Sequence, residues 1–139
     1  HPEAYEADLA MTLNNLANVY TKTQRFNDAE AYYLRALEIR ERLATAQPEV
    51  YESYVAGTLN NLAVLYSDVQ QFNEAEKCYS RALDLYFKLA DSYPNVYENK
   101  VARTAWNLYL MYHKKMNNQI AASEIFEAFK DLFIHYGYF

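Results

Sequence analysis

The chain has 139 residues, a formal net charge of −5 and a hydrophobic fraction of 52%, with 2 Gly, 3 Pro, 1 Cys and 15 Tyr. So few Gly and Pro cannot supply the frequent turns of a β-sandwich or barrel, and so apolar a chain is not a disordered one. An acidic balance without a basic stripe or an apolar run of about 18 residues argues against nucleic acid and membrane as partners, and the lone Cys78 can form neither an internal disulfide nor a zinc site.

Pro2, Pro48 and Pro94 stand 46 residues apart and divide the chain into units 2–47, 48–93 and 94–139 of one domain, 1–139. In the first unit Pro2 suits the first turn of a helix, where a missing N–H costs nothing. Leu13, Leu16, Ala17 and Tyr20 then recur at the i, i+3, i+4, i+7 spacing of one apolar helix face. A short polar break, Gln24 to Asn27 around Phe26, precedes a second helix whose stripe is Ala29, Tyr33, Ala36 and Leu37. Asn27 is placed as an N-cap, with Glu30 three residues on as in a capping box.

The second unit repeats this with Leu59, Leu62, Ala63 and Tyr66, a break from Gln70 to Asn73, and Ala75, Tyr79, Ala82 and Leu83. It is identical to the first at 23 of 46 positions, and Asn73 and Glu76 repeat the capping pattern. The third unit keeps the pattern only in its first half. It has Ala105 and Tyr109 where the others have Leu and Ala, Asn118 at the turn aromatic, and Ala122 in place of the capping Glu.

One hairpin cannot bury both faces of its helices, whereas stacked hairpins can. The expected fold class is all-α, an α-solenoid of three antiparallel helix-turn-helix repeats and six helices of roughly 20 residues. The last helix departs from amphipathic form. Ile125, Phe126, Phe129, Leu132, Phe133 and Ile134 make it apolar nearly all round, as buried helices are. Phe126, Phe129 and Phe133, with the tail 135–139, are expected to meet a second copy, further repeats or a partner, unless the tail folds back on its own hairpin.

The pattern Leu13, Leu16, Ala17, Tyr20, Phe26, Ala29, Tyr33, Ala36 and its copy in the second unit resemble the tetratricopeptide repeat. The phrases Leu-Asn-Asn-Leu-Ala and Ala-Glu-x-x-Tyr-x-Arg-Ala-Leu are similar to those of the long-repeat branch typified by kinesin light chains. The resemblance implies a right-handed superhelical stack. It also implies a concave groove, lined by the first helix of each unit, that takes an extended peptide or a partner helix.

Helical phase puts Asn14, Asn15, Asn18, Asn60, Asn61, Arg103, Trp106, Asn107 and Lys114 along that groove. Asparagine is a middling helix former, so its recurrence on one face asks for a reason. A carboxamide both donates and accepts, and a ladder of them could hold a peptide backbone; bonding between neighbouring helices is the structural alternative. Trp106 is either an anchor for an apolar side chain or buried against Tyr109 and Tyr112. Some members of the family clamp a partner's carboxylates. Asn18, Asn61 and Arg103 match that clamp, but Asn14 and Asn107 stand where it has cations, which argues against it here. The units carry −2, −4 and +1, so the basic third unit is the groove end suited to an acidic group.

His1, His113 and His135 are isolated, and Gly57 and Gly137 alone make no phosphate loop, so neither enzyme activity, cofactor nor metal is expected. The expected function is a non-catalytic binding module for a protein or peptide, with a cytoplasmic location. The alternative is a scaffold that self-associates through its last helix. A start so near a repeat boundary suggests a fragment of a longer protein.

Overall fold

A computed structural model describes residues 2–139. Among them six α-helices follow in order: α1 (Pro2–Lys22), α2 (Phe26–Ala46), α3 (Pro48–Asp68), α4 (Phe72–Ser92), α5 (Pro94–Leu110) and α6 (Gln119–His135). A π-helical turn, Met111–Lys115, continues α5. Each helix packs on the next in sequence, so three hairpins stack into one α-solenoid.

The joints between hairpins are single residues, Gln47 and Tyr93. Their N–H groups bond to Leu43 O at 2.9 Å and Leu89 O at 2.8 Å, and Pro48 and Pro94 then open the next helices. The turns inside hairpins hinge on a left-handed residue, Gln24 (φ 63°), Gln70 (φ 65°) and Asn117 (φ 50°). The following N–H reaches back over the last turn, from Arg25 to Tyr20 O and from Gln71 to Tyr66 O at 2.8 Å each, satisfying carbonyls that the helix end leaves open.

Asn27 and Asn73 are not caps. Helices α2 and α4 begin one residue before them, and the flanking Arg25 and Gln71 make no side-chain cap. Glu30 and Glu76 turn instead to the next hairpin, where they accept from Tyr66 and, at 2.7 Å, from Tyr112. Burial and these carboxylates together push both phenols' pKa up. A recurrent carboxylate thus stitches neighbouring repeats where a capping role was expected.

The third unit is one residue longer than the sequence period. Left-handed residues 24, 70 and 117, the buried Ala29, Ala75 and Ala122, and the buried Arg40, Tyr86 and Phe133 are each spaced by 46 and then 47. The π-helical turn absorbs the extra residue, with Met116 N–H bonding to Met111 O at 2.9 Å. Ala122 therefore corresponds to Ala75, and Gln119 rather than Asn118 stands at the turn aromatic. Asn118 is the true N-cap of α6, accepting from Ala121 N–H at 3.2 Å.

The core follows the alanines. Ala10, Ala17, Ala29, Ala36 and their second-unit counterparts are fully buried and let helices approach closely. Helix α3, flanked on both sides, buries Leu59, Leu62 and Leu65 at about 1% exposure each. In α1 the outer face has no hairpin against it among the described residues. Leu16, expected in the packed stripe, is 40% exposed and Val19 54%, although their counterparts Leu62, Leu65, Leu108 and Met111 are buried.

Candidate peptide-binding groove

Helices α1, α3 and α5 lie side by side on one face, with α1 and α3 in direct contact. Two hollows run along it. The first, ≈ 260 Å³, is lined by Asn18, Thr21, Lys22, Tyr33, Asn61 and Val64. The second, ≈ 140 Å³, is lined by Val64, Ser67, Asp68, Tyr79, Asn107, Leu110, Met111 and Lys115. They share Val64 as a common wall and so adjoin as two parts of one trough-like face.

The asparagines divide between structure and trough. Asn14 Oδ1 accepts from Thr58 Oγ1 at 3.4 Å and from Asn61 Nδ2 at 3.3 Å, tying α1 to α3. Asn60 is 6% exposed and faces the core, so it cannot meet a ligand as expected. Asn18 accepts from the Tyr33 hydroxyl and lines the trough with Asn61 and Asn107. Asn15 is exposed. The adjacent pair Asn60 and Asn61 thus splits between helix packing and groove.

The π-helical turn also moves the basic residue. Lys115, not Lys114, lines the trough and pairs with Asp68, while Lys114 is exposed outside both hollows. Arg103 is exposed and bonds the hydroxyl of Tyr86, whose pKa burial raises. Trp106 belongs to a C-terminal aromatic cluster. Its ring lies 5.0 Å from Phe133 and from Tyr109, and 5.5 Å from Tyr138.

That cluster answers the apolar last helix. Gly137 (φ 78°) takes a left-handed turn that few other residues adopt cheaply, and Tyr138 N–H bonds back to Phe133 O at 2.9 Å. The tail then covers α6: Tyr138 stacks on Trp106, and Phe139 lies 4.9 Å from Phe126. Phe133 is 0% exposed and cannot face a second copy, which corrects the expectation for it. Phe126 and Phe129 are half-buried.

Buried polar atoms supply a prediction. Thr58 Oγ1 accepts from Arg40 Nη1 at 2.7 Å while donating to Asn14, whereas its counterpart Thr104 Oγ1 and the counterpart amide Asn60 Oδ1 have no partner among the described residues. Thr104→Val is expected to be neutral or to stabilise by up to about 1 kcal/mol, since it removes an unpaired hydroxyl. Thr58→Val is expected to cost about 1–3 kcal/mol, because it strips a buried guanidinium of its acceptor. Urea denaturation of both variants checks the contrast.

Among the described residues no three His, Cys, Asp or Glu gather as metal ligands would. Burial pushes the Cys78 thiol up to about 11, leaving too little thiolate for a nucleophile. Among the same residues no helix is long and apolar enough to cross a membrane. Three features were invisible to helical phase: Arg40, Thr58 and the trough position of Lys115. The signal for Arg40 was present, in that a cation stands where the second unit has Tyr86.

Residues 9–44 match one family model of the tetratricopeptide repeat, and residues 56–88 match another. A search of the curated proteins finds no match to the chain. Repeats of this kind are generally protein–protein interaction modules and typically non-catalytic scaffolds. The matched stretches cover the packed parts of the first two hairpins, α1 with α2 and α3 with α4, and these two hairpins are similar to tetratricopeptide repeats.

Proposed function

We propose that the chain is a single-domain adaptor that holds an extended peptide or a partner helix along α1, α3 and α5. The two adjoining hollows carry this reading, with Asn18, Asn61 and Asn107 in their walls together with the charged Lys22, Asp68 and Lys115. A carboxamide at each repeat can pair with a peptide N–H and C=O at once, which favours backbone over side-chain recognition. The phrases Leu-Asn-Asn-Leu-Ala and Ala-Glu-x-x-Tyr-x-Arg-Ala-Leu support the long-repeat, kinesin-light-chain-like branch.

Peptides selected from a displayed random library against the chain provide the test. Asn61→Ala combined with Asn107→Ala is expected to weaken the selected peptides about tenfold while thermal stability falls little. Undiminished binding by that double variant sinks the reading. Self-association through α6 draws less support, because Phe133 is enclosed and the tail covers Phe126. In addition Lys130 stands where the first two hairpins place the buried Leu37 and Leu83 for stacking.

A further inference from the structure

A second cavity, ≈ 250 Å³, lies between α1, the end of α2 and the start of α3, away from the trough. Its walls include Met11, Leu43, Val50 and Tyr54, and its polar groups include Asp8 and Arg40. Arg40 is 8% exposed, yet none of the ion pairs among the described residues involves it. A guanidinium carries five N–H donors, and one of them goes to Thr58. The cation also lies 5.2 Å from the Tyr54 ring centroid. Buried charges are ordinarily paired, and burial here works against the charged form, pushing the guanidinium's pKa down.

The repeat itself shows that the fold does not need this cation. The equivalent positions carry Tyr86 and Phe133, both buried and neutral. The cavity therefore pairs a costly, incompletely bonded guanidinium with apolar walls. We propose that Arg40 and this cavity form a binding site for a single carboxylate carried on an apolar stem, as at a peptide's C-terminus or an acidic side chain. The carboxylate takes the remaining guanidinium donors, and its stem lies against Met11, Val50 and Tyr54. Asp8, exposed and on the same cavity, is an acceptor for an N–H beside that carboxylate. Arg40 donates to Thr58, and Thr58 and Asn61 both donate to Asn14, so the site is also wired to the trough.

The test is a titration of the full chain followed through the Arg40 Nε–Hε NMR signal, with N-acetyl-leucine, N-acetyl-glutamic acid α-amide and neutral N-acetyl-leucinamide. Either acid is expected to move the signal saturably and to bind about tenfold or more tightly than the neutral amide. The tighter acid tells C-terminus from side chain. Arg40→Tyr copies the residue of the next repeat and is expected to fold; ligand shifts at neighbouring backbone amides should then lose the preference for acids. Arg40→Lys should keep part of it. Equal binding of the neutral amide, an unaltered acid preference in Arg40→Tyr, or no saturable shift overturns the proposal. Asn107→Ala alone touches none of the Arg40, Thr58, Asn14 and Asn61 hydrogen bonds, so its effect on the selected peptides tests the trough separately and the two sites fail independently.

Discussion

Replacing Phe133 with alanine is expected to lower the free energy of unfolding by about 3–5 kcal/mol, the range for a fully buried aromatic. Phe133 is enclosed by Trp106 at 5.0 Å, Phe126 at 6.1 Å, Phe129 at 6.2 Å and Tyr138 at 6.3 Å. Truncation loses its apolar burial and leaves a cavity that the helix-anchored Trp106 and Phe129 cannot collapse into. With a total stability on the order of 5–15 kcal/mol, this one change removes a large fraction of it. Urea denaturation gives the number, and Trp106, the chain's one tryptophan, reports the cluster by fluorescence. Phe133→Leu keeps most of the volume and should cost under about 2 kcal/mol. A loss below about 1 kcal/mol for the alanine variant would mean that the C-terminal cluster is not packed in solution.

Leu62→Ala is expected to cost about 2–5 kcal/mol, and Leu16→Ala, at the same place in the preceding repeat, under about 1 kcal/mol. The side chains and their helical settings are alike; only their neighbours differ. Leu62 is 1% exposed, on a helix flanked by hairpin partners on both sides, while Leu16 is 40% exposed on the open face of α1. The comparison isolates what stacking contributes to one leucine. Equal costs would mean that the outer face of α1 is covered in solution.

Much of the fold was legible because its signals are local. The three prolines set the period, and each does open a helix. The small residues at 17, 29 and 36 marked the close approaches, and all are fully buried. Hairpin pairing followed from turns of three residues, too short for anything but antiparallel neighbours. The turn chemistry was misread for a physical reason. Asn27 and Glu30 suit a capping box by type and spacing, but the Schellman-type reach of Arg25 N–H had already closed the turn, and Glu30 gains a buried phenol partner in the next repeat.

The groove was legible only as a face. Helical phase advances about 100° per residue, so Asn60 and Asn61 point to different sides of α3, and the packing of its neighbours decides which one is enclosed. The register of the last hairpin was lost for a related reason. Ungapped comparison cannot detect one inserted residue where identities are already few, whereas burial of Ala122 and Phe133 does.

By itself, then, the amino-acid order determined an all-α chain of repeated hairpins, their boundaries and the small residues that let them pack, because periodicity, proline and side-chain size act within one or two turns of helix. The tertiary structure alone decided which asparagines line the trough, which lysine reaches it, how the tail seals α6, and that Arg40 lies buried without a carboxylate. Those features depend on contacts between residues far apart in sequence, where a shift of one position or a small helix tilt exchanges solvent for a neighbour.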